Sequence, residues 1–321
     1  MSKRIGIIAP ILEERQVKIP PIHGQVWNFI KLTRFPFLLG GFLLYALGAA
    51  AAARMGFTIN WASYLLGQVV VVSIQLMAQY LNEYYDIEGD RLGANNRTWF
   101  SGGSGILPAG GISPLTVRTA ARICALIALL TGLFASILSP WMIPVVLLSL
   151  LGSWFYSGPP LSLMSSGWGE LTTSLIVALL VPLAGYCMQG GFPSGKLWLV
   201  SVPLVLVHAA MLISFEIPDH AVDLSIGKKT LAVRLGLQGA AWVVNALISS
   251  AFLFLVALKL FSNYPDRWMG LAVPLAIWQM VTIHRVIHSP TRIRYYLLTL
   301  GGVGLFFLMA SLAFLGFVFI I

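Results

Sequence analysis

Nine runs of roughly 20 mostly apolar residues dominate this chain, and each is long enough to cross a bilayer as a helix. With soft boundaries they are 35–53, 61–81, 119–138, 140–157, 170–188, 196–217, 239–262, 268–285 and 295–320. Pro144, Pro182, Pro203 and Pro274 fall inside them, which membrane helices tolerate where neighbours repair the backbone. Only 10% of the 321 residues are charged and 58% are hydrophobic, against about 25% charged in soluble domains. That excludes an ordinary water-soluble enzyme, a disordered chain and a disulfide scaffold. A formal charge of +9 would suit a nucleic-acid partner, but the basic residues are scattered between apolar runs, so none is expected. Cys124 and Cys187 both sit in apolar segments and imply neither a disulfide nor a metal cluster.

The expected organisation is a basic segment, 1–34, followed by one intramembrane unit, 35–321. The basic segment has no compact apolar core with a small-residue cleavage site, so it does not read as a signal peptide. Trp27, Phe29, Ile30 and Leu32 alternate with Lys31 and Arg34, which predicts a helix lying on the membrane surface before the first span. With the N-terminus inside, 16 of the 20 Lys and Arg residues lie on the inner side, counting Arg122 at the inner end of the third span. Only Arg54, Lys196, Lys259 and Arg267 lie outside. By the positive-inside rule the N-terminus faces the cytoplasm, in a cell or inner membrane.

The acids are scarcer still. Of 11 in the chain, Glu83, Asp86, Glu88 and Asp90 share one short window and Glu216, Asp219 and Asp223 another. The nine-span count places both windows on the cytoplasmic side, at the inner ends of even-numbered spans. Asn82, Asp86 and Asp90 are spaced i, i+4, i+8, and Asp219 and Asp223 repeat the step. On a helix such residues stack along one face, drifting by about 40° per step. Like charges at that spacing repel, so two such ladders facing each other predict an oxygen-rich cage for a hard divalent cation. Mg²⁺ prefers one or two carboxylates with water and substrate phosphate, which points to a diphosphate substrate. Glu83 and Glu88 lie off the ladder and are expected to be solvated.

Neighbouring residues fit phosphate chemistry. Arg97 opens the stretch RTWFSGGSG, whose glycines can offer backbone N–H groups to phosphate oxygens. Lys228, in GKKT after the second ladder, can complement the charge of a departing diphosphate. Gln75, Gln79, Asn82 and Asp86 form a polar stripe climbing the second span, which implies a wet cavity. His208 shares the face of Asp219 and reads more simply as a structural residue than as a base. Tyr156, in YSGPP at the inner end of the fourth span, would reach the same cavity mouth.

These residues resemble the UbiA-type superfamily of intramembrane prenyltransferases. NEYYDIEGD (82–90) is similar to the family's NxxxDxxxD motif, and DHAVD (219–223) to its DxxxD motif, followed by the similar GKKTLAVRLG. LTRFP (32–36) and the nine spans fit as well. The resemblance implies an all-α bundle of nine transmembrane helices around a central cavity. It implies transfer of a polyprenyl chain from a polyprenyl diphosphate to an aromatic acceptor, with Mg²⁺ held by Asp86, Asp90, Asp219 and Asp223. Asn82 would assist, and Arg97 and Lys228 would contact phosphate oxygens. Many members carry Tyr-x-x-x-Lys near the fourth span, whereas here the fourth residue after Tyr156 is Pro160, so the resemblance carries Tyr156 over as a substrate contact without the lysine. RTWFSGGSG is more similar to the branch that prenylates 1,4-dihydroxy-2-naphthoate in the menaquinone pathway than to the 4-hydroxybenzoate branch. Homogentisate or a lipid alcohol is a further possible acceptor.

Two other classes fit less well. CDP-alcohol phosphotransferases pack their aspartates into one stretch, whereas Asp86 and Asp219 are 133 residues apart. A cation transporter would place its acids near the midplane in broken helices, not at the cytoplasmic ends beside basic loops.

Overall fold

A computed structural model describes residues 22–192, 195–261 and 266–319. Lys3, Arg4, Arg15 and Lys18 of the basic segment lie outside the described residues. Every regular element among the described residues is helical. A short amphipathic helix α1 (Ile22–Leu32) leads to α2 (Phe35–Arg54), α3 (Trp61–Tyr85) and the one-and-a-half-turn α4 (Ile87–Leu92). Then come α5 (Pro114–Leu138), α6 (Met142–Ser157), α7 (Gly169–Leu175) and α8 (Val181–Gly190). The chain closes with α9 (Gly195–Ser225), α10 (Leu231–Phe261), α11 (Val273–His288) and α12 (Arg292–Phe319).

Helices α7 and α8 form a single 22-residue span, Gly169–Gly190, joined through a π-helical turn, Ile176–Leu180. Among the described residues, eight helical segments are then long and apolar enough to cross a membrane, and α6 is a ninth, shorter apolar helix of 16 residues. The nine-helix expectation stands, with one helix shorter than a full crossing requires. Three boundaries shift for local reasons. Pro114 at the first turn starts α5 five residues early, since proline is pre-organised for that position. Gly236, at φ 68°, kinks α10 near its start, a conformation that suits glycine. The sixth span continues past Pro218 to Ser225, so the DxxxD motif lies on α9 itself.

Packing follows the logic of a bilayer, where apolar bulk faces lipid and small residues face other helices. On α5 the buried positions are Val117, Ala121, Ala128, Gly132 and Ala135, while Leu126, Leu130, Leu133 and Ile137 are exposed. Helix α2 lies against α8, α3 against α5, and α9 between α10 and α12. The α2–α8 contact is backbone to backbone. A Cβ on Gly48 would overlap the carbonyl oxygen of Pro182, and one on Gly185 that of Tyr45. Helix α1 exposes Val26, Trp27 and Ile30 but buries Leu32, and its Lys31 ammonium lies 5.4 Å from the Trp27 ring. Asn28 Nδ2 donates to the Gly111 carbonyl at 3.1 Å, which fastens the surface helix to the loop ahead of α5.

The α2–α8 seam generates a stability prediction. Gly48→Leu or Gly185→Leu should destabilise the fold by at least the roughly 1–3 kcal/mol typical of overpacking, read as a lower unfolding temperature in detergent. Gly270→Ala, where a Cβ meets nothing within 4 Å, should leave that temperature unchanged. Equal unfolding temperatures for all three variants would refute the close-approach account of the seam.

Candidate active site

Helices α2, α3, α6–α9 and α12 enclose a cavity of about 330 Å³. Asn82, Asp86, Asp90, Tyr156, Asp219, Asp223 and Lys228 all line it. The polar stripe on α3 is placed as expected, with Gln75 and Gln79 also on the wall. Deeper down the lining turns apolar, with Val70, Ile74, Val145, Leu180, Met211 and Phe306.

The first ladder is not one continuous helix. Helix α3 ends at Tyr85, and Asp86, at φ −107°, is both its C-cap and the residue before α4. The i, i+4 relation survives because the Asp90 N–H donates to the Asp86 carbonyl at 2.9 Å. Asp is a poor helix-interior residue that favours caps, so the break falls at a residue suited to it. The second ladder sits on the last turns of α9. The two motifs meet across the cavity mouth, where a Cβ on Gly93 would lie 3.6 Å from Asp219 Oδ1. Lys228 joins them: its Nζ is 2.6 Å from Asp86 Oδ1 and 3.3 Å from Asp223 Oδ1. Burial works against the Lys228 charge, but Asp86 and Asp223 outweigh it and push its pKa up to about 12.

The glycine-rich loop is a braced structure. Gly102, Gly103 and Gly105 have φ of 76°, 64° and 76°, and a Cβ on Gly103 would overlap the Asp90 carboxylate. Arg97 was expected to meet phosphate. Instead its Nε donates to the Gly102 carbonyl at 2.6 Å and its Nη2 to the Asp90 carbonyl at 2.8 Å. It does not line the cavity; its donors hold the loop that does. Glu83, expected in water, is 1% exposed and accepts from Ser104 N at 2.7 Å and Ser104 Oγ at 2.6 Å. The loop's unpaired N–H and hydroxyl needed an acceptor, and Glu83 is one turn from Asp86 on the side facing it. Glu88, by contrast, is half exposed and pairs with Arg91 at 2.7 Å, as its position off the ladder predicts.

Arg34 is the functional candidate that motif spacing missed. It sits in the left-handed region at φ 47°, a conformation that costs a non-glycine residue about 1–2 kcal/mol. Its Nη2 donates to the Phe100 carbonyl at 2.8 Å, and its guanidinium lies 4.6 Å from the Phe37 ring. It lines the cavity with Glu83, Asp90 and Asp219 as its charge neighbours. Burial lowers its pKa, and those carboxylates oppose the shift. The only sequence signal was an arginine just before a Phe-Pro helix start. His208 is a satisfied structural residue: its Nδ1 is 3.0 Å from Ser174 Oγ, and its ring packs on Phe306 at 4.7 Å.

Among the described residues no three His, Cys, Asp or Glu side chains converge closely enough to hold a metal ion by themselves. The cage of four aspartates expected from the two ladders is therefore not closed by protein alone, because Lys228 stands between Asp86 and Asp223. The donors nevertheless suit a hard divalent cation shared with substrate oxygens. Asp90 Oδ2 and Asp219 Oδ1 are buried without hydrogen-bond partners, and a buried polar atom of that kind calls for an ion or ligand.

A helical membrane bundle with facing aspartate ladders over an apolar cavity defines a class, the intramembrane enzymes with an acidic, metal-compatible site. Residues 42–294 match the UbiA prenyltransferase family, and the chain belongs to that family. It is 27% identical over 186 residues to the 1,4-dihydroxy-2-naphthoate octaprenyltransferase of Bacillus subtilis, over 58% of each chain. This match spans less than two thirds of the Bacillus protein. The enzyme of the same name from Mycobacterium tuberculosis is 28% identical over 236 residues, covering 72% of this chain and 77% of that one. A UbiA homolog from Archaeoglobus fulgidus, solved with DMAPP and Mg²⁺, superposes with a TM-score of 0.61 at 17% identity. That superposition covers 88% of this chain and 99% of the other, and at such identity it establishes the fold.

Burial and the nearby Asp86 and Glu83 carboxylates push the pKa of Asp90 up to about 8, from an ordinary 3.8. Between those values the folded state binds more protons than the unfolded, so this group's contribution to stability falls as pH rises. A divalent cation at the site removes that penalty. Added Mg²⁺ should therefore raise the unfolding temperature more at pH 8.5 than at pH 6. A shift that is equal at the two pH values, or larger at pH 6, would count against a cation at Asp90.

Proposed function

We propose that this protein transfers a polyprenyl chain from a polyprenyl diphosphate to 1,4-dihydroxy-2-naphthoate, in menaquinone biosynthesis. The observation that carries this reading is the gathering of Asp86, Asp90, Asp219, Asp223 and Lys228 at one end of a cavity that is otherwise largely apolar. Charge at the mouth suits a diphosphate, and the apolar depth suits a prenyl tail. The acceptor is supported by the names of the Bacillus and Mycobacterium relatives and by the RTWFSGGSG loop.

Asp86, Asp90, Asp219 and Asp223 would hold Mg²⁺ at the cavity mouth. When bound, the cation would neutralise charge on the leaving group. Lys228 and Arg34 supply the further positive charge that a departing diphosphate needs, in place of the lysine missing after Tyr156. Asn82 and Tyr156 flank the bound diphosphate, and Gly102 and Gly103 close over it, held there by Arg97 and Glu83. The allylic C–O bond breaks with its electron pair going to diphosphate. The cation left behind faces Phe37, Phe100 and Phe215, whose ring faces attract positive charge. Phe100 and Phe215 are stacked at 6.2 Å. The acceptor carbon attacks the allylic carbon where the lining excludes water. Residues 35–321 form the catalytic unit, with α1 (Ile22–Leu32) before it on the membrane surface. The excess of inner Lys and Arg favours a cell or inner membrane with the N-terminus and both motifs cytoplasmic.

The test is a transfer assay on purified protein in liposomes, with Mg²⁺ and a radiolabelled polyprenyl diphosphate. 1,4-Dihydroxy-2-naphthoate, 4-hydroxybenzoate and homogentisate are offered in parallel. Lipid-soluble product with the naphthoate alone, abolished by EDTA, is the expected result. Asp86→Asn and Asp219→Asn should each lower kcat by about 10²–10³-fold, the scale of losing one element of transition-state electrostatics. Product with a different acceptor overturns the naphthoate assignment. If no acceptor is prenylated and no diphosphate is released, the reaction class is wrong.

A further inference from the structure

Two acids on the cavity wall are left over once the aspartate ladders are accounted for, one buried (Glu170) and one half-buried (Glu216). Glu216 lies one turn before Asp219 on α9, about 4.5 Å deeper along the helix axis, and Glu170 opens α7. Both line the cavity. Below Glu216, the residues of α9 on the wall are Phe215, Leu212, Met211 and His208, and His208 is already bonded to Ser174. On α9, then, Glu216 marks the boundary between the charged mouth and the apolar depth. A prenyl diphosphate bound with its diphosphate at the ladders places its reacting carbon at that boundary.

Part of what these acids do is structural. Glu170 Oε1 accepts from Leu231 N at 3.2 Å, and Glu216 Oε2 accepts from Ala232 N at 2.9 Å. Together they satisfy consecutive N–H groups at the start of α10, which have no partner within the helix. Bound to consecutive N–H groups, the two carboxyl groups are neighbours at the start of α10. Capping does not use the second oxygen of Glu170. Glu170 is 4% exposed, and its Oε2 is buried with no hydrogen-bond partner. The Tyr156 ring lies against Gly169, the residue before Glu170. An unpartnered carboxylate oxygen is costly when buried, and the cavity that Glu170 lines is where the hydroxyl of a ligand can reach it.

We infer that Glu170 is a further catalytic residue, the group whose Oε2 takes the hydroxyl proton of the aromatic acceptor, with Glu216 as the positioning residue that holds it. This rests on the prenyl-transfer reading above. The acceptor O–H bond breaks, its proton passes to Glu170 Oε2, and the electron pair stays on the ring oxygen. That pair is delocalised into the ring, whose carbon forms the new C–C bond with the allylic cation left once the C–O bond has broken and diphosphate has departed with its electrons. The ring regains aromaticity when the substituent at the attacked carbon departs, as a proton or as CO₂, leaving its bonding pair in the ring.

Glu170→Gln tests this because the amide keeps an oxygen for Leu231 N and so preserves the α10 cap. The assay uses the full-length protein in liposomes and a series of ring-halogenated 1,4-dihydroxy-2-naphthoates of increasing hydroxyl acidity. Glu170→Gln should lower kcat for the parent acceptor by about 10²–10³-fold, within the usual range for losing a general base. KM for the polyprenyl diphosphate should be unchanged. The deficit should shrink as the hydroxyl becomes more acidic, a trend that a purely structural role would not produce. Glu216→Gln should show the same trend with a smaller loss, which keeps the test open if the first variant fails to fold. Wild-type kcat in Glu170→Gln, or a deficit independent of hydroxyl acidity in both variants, overturns the assignment. A wild-type protein that prenylates none of the acceptors overturns the transfer reading itself.

Discussion

The ammonium of Lys228, set between Asp86 and Asp223, is the contact around which the cavity mouth is assembled. Carboxylates this close to a bilayer repel one another, and two helices carrying them would separate without a counter-charge. Lys228 comes from the short connection between α9 and α10, which the Lys228 N–H bond to the Asp223 carbonyl at 2.9 Å folds back onto α9. The next residue continues the clamp, since Lys229 N donates to the Ser165 carbonyl at 3.0 Å. Arg234 Nη2 adds a bond to the Ser166 carbonyl at 2.6 Å. One connection therefore ties the halves of the bundle together at the place where their charges would drive them apart.

Around that contact the remaining charges divide their work. Asp90 and Asp219 on the cavity wall keep oxygens free, Glu83 behind it holds backbone, and Glu170 on the wall does both, with one oxygen on Leu231 N and the other free. Arg97 is the cationic counterpart of Glu83. Residues of the same type one or two turns apart thus serve different ends, according to whether a loop backbone or the open cavity lies in front of them.

Much of this was legible in the sequence, for a physical reason. Spans announce themselves by length and hydropathy, and acids are so rare in a chain built for hydrocarbon that two clusters of them can scarcely be incidental. The spacing of Asp86 with Asp90 and of Asp219 with Asp223 was therefore readable, and so was the stripe from Gln75 to Asp86. Contacts between distant segments were not. Nothing in the local pattern says that Glu83 faces Ser104, that Arg97 turns back on its own loop, or that Arg34 reaches the wall of the cavity. Glu170 was hidden for a related reason: it stands alone in its segment, and its importance comes only from lying beside Glu216. The interruption at Asp86 leaves no mark in the spacing, because a hydrogen bond of helical type bridges it and keeps the i, i+4 relation.

Helix α6 is 16 residues long, about 24 Å at the usual rise, against a hydrocarbon core of about 30 Å. A bilayer meets so short a span by thinning around it, or the bundle meets it by recessing that helix between longer neighbours, at a modest cost for each ångström of mismatch. Tyr156 sits in the last turn of this helix, at the cavity rim. The thickness of the surrounding lipid thus acts on the site through α6, and membranes of different acyl length exert different tension on the wall that carries Tyr156.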